Sequence, residues 1–151
     1  ESTTGRLETA STALKDNLKI WLNRYRMVND TVDILDAKVV NIGIEFEIVS
    51  EGENRFDVLE EATRTLRNEI ARQYFIGERF KITDVYSILN SVRGVADTSN
   101  VKIKVKSGGR YSQTGFNIEN QMSTDGRYIS VPDNVALEIK FPKSDIKGSI
   151  R

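Results

Sequence analysis

The 151-residue chain has no cysteine and no histidine. Without cysteine there is no disulfide, no thiolate nucleophile and no cysteine-bound metal, which fits a reducing compartment. Without histidine the commonest general base, the commonest neutral metal ligand and the usual pH switch are all missing. Charge of one sign is lacking too: 22 Lys and Arg balance 22 Asp and Glu, so no overall field draws the protein to nucleic acid or an anionic membrane. No apolar run approaches the ~20 residues of a membrane span, and the first residues lack a signal-peptide pattern. The chain opens at Glu1 instead of Met and reads as a fragment of something longer, cut in or before a flexible stretch. Glycine-rich phosphate cradles, P-loops, metal-ligand spacings and nucleophile–base pairs are also missing. The reading is therefore not an enzyme, with no catalytic, cofactor-binding or metal residue assigned.

What is present is a clear core. In Lys38 to Val49 the residues Val40, Ile42, Ile44, Phe46 and Ile48 recur every second position, giving an extended segment one wholly apolar face. From Asn54 the period becomes helical, and Leu59, Ala62, Leu66, Ile70 and Tyr74 form one stripe to cover that strand. Phe75-Ile76-Gly77 ends this helix, with Gly77 in the left-handed conformation and Phe80 as a hydrophobic clasp. A second helix opens with Thr83 as N-cap, buries Val85, Ile88, Leu89 and Val92, and stops at Gly94. Two helices between strands reverse direction, so Val101 to Lys106 should run antiparallel to the first strand. Val135 to Phe141 supplies the last strand, Pro142 stops it, and the tail has only Ile146 and Ile150 to hold it.

Ahead of this core, residues 1–12 read as a frayed linker. Leu14, Leu18, Trp21, Leu22 and Tyr25 then mark an amphipathic helix from about Thr9 to Met27, with Trp21 as the anchor where it meets the rest. Asp30, Asp33 and Asp36 lack the central glycine and trailing glutamate of a calcium loop and read as turn and edge residues. Glu45 and Glu47 share a strand face with Asn41 and Gly43; the pair could do acid–base work in a pocket, but reads as the wet face of a sheet. The expected fold class is α+β: a mainly antiparallel three-stranded core sheet, helices packed on one face, and an inserted β-hairpin, in a single domain of residues 13–151.

The insertion, residues 107–131, has a different texture. It is polar, and Asp125-Gly126 marks a hairpin turn with arms near Phe116 to Met122 and Arg127 to Val131. Scattered through it, Tyr111, Phe116, Ile118, Met122 and Tyr128 are the candidate partner-interface residues, because apolar groups on an excursion from the core serve docking. The competing surface is basic: Lys102, Lys104 and Lys106 alternate on one strand, with Arg110 beyond. This pattern suits a nucleic-acid-binding module using residues 102–110, but with no net charge it reads first as lysines that guard a sheet edge.

The order of elements carries a resemblance. Leu18-x-x-Trp21-Leu22-x-x-Tyr25-Arg26, then Val39 to Phe46, then the helix ending Gln73-Tyr74-Phe75-Ile76-Gly77-Glu78, then Ile82-x-x-Val85-Tyr86-x-Ile88-Leu89 and Val92-x-Gly94-Val95 resemble the C-terminal part of the baseplate J-like proteins of contractile phage tails. The wedge subunits of T-even-like phages are the nearer group. The likeness covers about Leu18 to Val105 and the final strand; the excursion from Ser107 to Ser130 departs from the shorter link expected of simpler members. It implies a structural virion component of the tail baseplate, present in the host cytoplasm during assembly. Such a subunit forms a homodimer, joins other baseplate wedge proteins and builds a ring around the hub. It implies no small-molecule substrate and no membrane, with nucleic acid the less favoured partner.

Overall fold

The computed structural model describes residues 7–51, 54–70, 72 and 74–151. The first half of the expected linker, residues 1–6, lies outside them. The chain forms two compact units, the first ending at Ala37 and the second spanning Lys38–Arg151.

The first unit contains helix α1 (Thr12–Leu22). Ser11 caps it, its hydroxyl accepting from the Leu14 amide at 3.3 Å. The expected extension to Met27 is a tightened exit instead: the Arg24 and Tyr25 amides reach back only three residues, to the carbonyls of Trp21 and Leu22. Asn29 adopts a left-handed φ of 87°, and residues 31–37 follow without regular structure. Asp36 and Asp33 of that run pair with Lys15 and Lys19 at 2.5 and 3.4 Å. Two of the three aspartates considered as a cation site are thus taken by lysines. Helix α1 buries none of its residues, and Trp21, the expected anchor, is 53% exposed beside Tyr25 at 4.8 Å.

The second unit runs β1 (Lys38–Ser50), α2 (Arg55–Ile70), β2 (Phe80–Lys81), α3 (Ile82–Asn90), β3 (Val95–Lys106), α4 (Ile118–Gln121), β4 (Tyr128–Ile129), β5 (Val135–Glu138), α5 (Pro142–Asp145) and β6 (Ile146–Ile150). It is an α+β fold. β1 is central: β3 pairs antiparallel along one edge, Ile42 opposite Val105 and Ile44 opposite Ile103. Along its other edge β5 and β6 follow each other, both parallel to β1, with Lys38 opposite Val135 and Ile44 opposite Ile146. The main sheet is therefore four-stranded and mixed, where a mainly antiparallel three-stranded sheet was expected. The cause is the stretch after β3, which carries the chain back to the start of β1 before β5 begins. The tail also differs from expectation, because Ile146–Ile150 is a paired strand with Ile146 fully buried.

The alternating row of β1 is the core. Val40, Ile42, Ile44, Phe46 and Ile48 are at most 3% exposed and share one cluster with Ala62, Leu66 and Ile70 of α2 and Val85 and Leu89 of α3. Helix α2 stops at Ile70, short of the expected Phe75; residues 71 and 73 of that span lie outside the described residues. Tyr74 remains buried, its hydroxyl donating to the Ile70 carbonyl at 3.0 Å, and burial pushes the phenol up to about 12. Gly77 takes the expected left-handed turn at φ 73°, with its amide donating to Val135. Helix α3 begins without a hydroxyl cap from Thr83. The Arg127 carbonyl accepts from the Ile82 and Thr83 amides instead, so the insertion caps this helix.

The insertion is sewn in at several points. Its expected first arm is a helical turn, α4, capped by Asn117. The turn at Asp125-Gly126 is present, with Gly126 at φ 67° and the Ser123 amide donating to the Tyr128 carbonyl. Beyond one bridge from Met122 to Ile129, however, β4 pairs with β2. Ile129 and Val131 belong to the core.

β6 passes so close beneath α2 that only glycine fits at its middle. A Cβ on Gly148 would lie 2.5 Å from the Phe46 ring and 2.7 Å from a Leu59 methyl, whereas one on Gly115 would meet nothing. Gly148→Ala should therefore lower unfolding stability by ~1–3 kcal/mol, with Gly115→Ala within about 0.5 kcal/mol of the parent. Urea denaturation of the two variants checks this.

Candidate functional site

The helix face of the sheet is covered unevenly. Over β1 it is closed by α2 and α3, but over the outer strand it is not: Val101, Ile103 and Val105 of β3 remain half-buried while their partners Phe46, Ile44 and Ile42 are buried. Here an open groove of about 720 Å³ runs along the strand. Every residue from Val101 to Val105 lines it, which a groove lying only on one face of a strand would not permit. It follows the strand's edge. The opposite wall comes from Ile82 at the start of α3 and from Phe116, Ile118 and Met122 around α4.

Three of the five expected interface residues, Phe116, Ile118 and Met122, are thus brought together. Phe116 and Ile118 also lean on the core, and Met122 is 38% exposed. The other two stand apart. The Tyr111 hydroxyl donates to the Asp145 carboxylate at 2.5 Å, and its ring meets Phe141 edge-on at 5.5 Å. The hydrogen bond donated to that carboxylate, helped by burial, raises the pKa of the phenol, because ionisation would lose the donated proton. Asp145 is itself 2% exposed and accepts from the Phe141 amide at 2.8 Å. Tyr111 therefore ties the insertion to α5. Tyr128 lines a neighbouring hollow with Met122, under the Arg79 guanidinium at 5.1 Å.

The other face of the sheet bears the basic residues, and they are interleaved with acids. Lys104 pairs with Glu45 at 2.6 Å. The Lys106 side chain crosses Gly43, where a Cβ would lie 2.6 Å from its Cε, and Arg110 stacks over the Phe141 ring at 4.6 Å. A continuous phosphate track along residues 102–110 is interrupted by these pairings. The same face corrects the picture of an entirely wet surface: Asn41 is 1% exposed, its amide donating to Glu138 at 2.7 Å and its carbonyl accepting from the Ser112 amide at 2.7 Å. The hydrogen bond from Lys104, with further help from the Lys106 and Lys147 charges, holds the Glu45 carboxyl below its ordinary value. A general acid at neutral pH needs the opposite shift. Glu45 and Glu47 border an open hollow of about 210 Å³ with Asn100, Lys102 and Ser149.

Reasoning from the sequence missed Ile82 and the apolar side of β3 as parts of the site. The available signal was the Val-Lys-Ile-Lys-Val-Lys alternation, which suits a strand at a sheet edge; β3 occupies that position.

Glu45 should titrate below an ordinary glutamate in the native protein and move back toward it in Lys104→Met, followed by carboxyl NMR. Because its folded pKa is depressed, its contribution to stability is present above the ordinary glutamate range and is lost as pH falls through the lowered value. Both partners are well exposed, so the contribution is ~0–1 kcal/mol. Comparison of the chain with family models and with curated proteins finds no match.

Proposed function

We propose that this chain is a structural subunit of a contractile phage tail baseplate wedge, associating with itself and with other wedge proteins around the hub. The open apolar groove along β3 carries the reading, since half-buried Val101, Ile103 and Val105 face Phe116, Ile118 and Met122 with nothing from the chain's own described residues laid between. A rigid core that stops short of one sheet edge suits a part meant to be completed by a neighbour. The element order from Leu18 to Val95 supplies the kind of assembly. On this reading the protein performs no chemistry; its work is to hold a ring together while the sheath contracts.

The alternative, a nucleic-acid-binding module on Lys102, Lys104, Lys106 and Arg110, is less well supported, because Glu45 neutralises Lys104 and Arg110 stacks on Phe141. DNA titration at low salt should show no salt-dependent binding; affinity that falls steeply with added salt would favour the module.

Light scattering at rising concentration, alone and with neighbouring baseplate proteins, should reveal self-association or a stable complex. A strict monomer that binds no tail component would overturn the proposal. Met122→Glu, at an exposed position, should weaken the association about tenfold or more with the thermal transition unchanged. Tyr111→Phe should do the reverse, costing ~1.5–3 kcal/mol of stability through the lost bond to a charged acceptor and leaving association intact.

A further inference from the structure

The groove at β3 is bounded by backbone as well as by side chains. From Val101 to Lys106, β3 makes backbone hydrogen bonds only to β1 among the described residues, so its outward N–H and C=O groups have no protein partner. Such a row dictates the shape of its occupant, because only an extended chain presents donors and acceptors at matching intervals. Side chains of an added strand would alternate between two unlike surroundings. On one side lie Ile82, Ile103, Phe116 and Met122, with Asn117 and Glu119 also lining the groove. On the other lie Lys102 and Lys104; Lys104 is paired with Glu45, Lys102 has no ion-pair partner among the described residues, and Lys106 turns inward over Gly43. The surplus charge on that side is positive.

We infer that the free edge of β3 binds an extended segment of another protein in which apolar and acidic residues alternate. The segment adds a strand to the sheet, its apolar side chains entering the groove and a carboxylate meeting Lys102. This deepens the proposed function and rests on its reading of the groove as a docking surface; it names the partner's chemistry and mode of attachment.

The probe is a short fluorescent peptide of alternating valine and glutamate, titrated with the full chain at neutral pH and followed by anisotropy. It should bind, and an alternating valine and lysine peptide should not. Methylating the backbone nitrogens of every second residue should abolish binding in one of the two registers and spare it in the other, since only one edge of the peptide faces β3. Lys102→Glu should weaken binding several-fold; circular dichroism confirms that the variant folds. The inference is overturned if the acidic peptide does not bind, if both methylated registers bind like the parent, or if charge reversal leaves affinity unchanged. Displacement of the peptide as protein concentration rises would put a second copy on the edge and overturn it as well. If the peptide fails while light scattering still detects a complex with a tail protein, the docking function stands and only this mode of attachment is lost.

Discussion

The structure depends on burying both edges and one face of a single strand. β1 carries five alternating apolar residues, all nearly inaccessible, and every other strand of the main sheet pairs with it. Its inward row alone represents several side chains at ~1.5–3 kcal/mol each. No other element of the second unit has that role: remove the β1 row and neither β3 nor the β5–β6 edge retains a pairing partner, and α2 and α3 lose the surface they cover.

That dependence explains where tolerance is narrow. Gly148 is forced by the approach of Phe46 and Leu59 across β6, and Gly43 by Lys106 and the Asp145 carbonyl on the opposite face. Asn41, although polar and nearly inaccessible, is satisfied on both ends of its amide by Glu138 and Ser112. It links the start of β1 to the insertion and to β5, three segments distant in sequence. With Tyr111 and Asp145 nearby, it converts what looks like a loose polar stretch into a fixed part of the fold. The insertion in turn supplies the carbonyl that caps α3 and one wall of the groove.

The open groove along β3 follows from the same economy of cover. Helices α2 and α3 suffice for β1 but not for β3, so the outer strand keeps a half-open apolar side and an unpaired backbone edge. Lysines along its other side discourage indiscriminate pairing with uncharged strands, yet the same charges can select a partner of opposite sign. On the proposed reading, edge protection and specificity are two consequences of one pattern, Val101 to Lys106. The exposed stripe of α1 is a separate feature of the first unit, where ion pairs from Lys15 and Lys19 to Asp36 and Asp33 hold the polar side and leave Leu14, Leu18 and Trp21 accessible.

Period and chemistry along the chain determined the local elements: the alternation from Val40 to Ile48, the stripe through Ala62, Leu66 and Ile70, and the left-handed turns at Gly77 and Gly94 each reflect interactions within a few residues. The antiparallel run of Val101 to Lys106 was also legible, because two helices between strands constrain direction. Legible too was a gathering of apolar residues in the insertion, through Phe116, Ile118 and Met122, but not the separation of Tyr111 from them, whose partner Asp145 lies 34 positions away. Only the tertiary structure decided that β5 and β6 run parallel to β1, that Arg127 and not Thr83 caps α3, and that Ile82 faces β3 across a groove. Each is a pairing between segments far apart in sequence, and no periodicity within a segment records which distant neighbour will satisfy its backbone or cover its face.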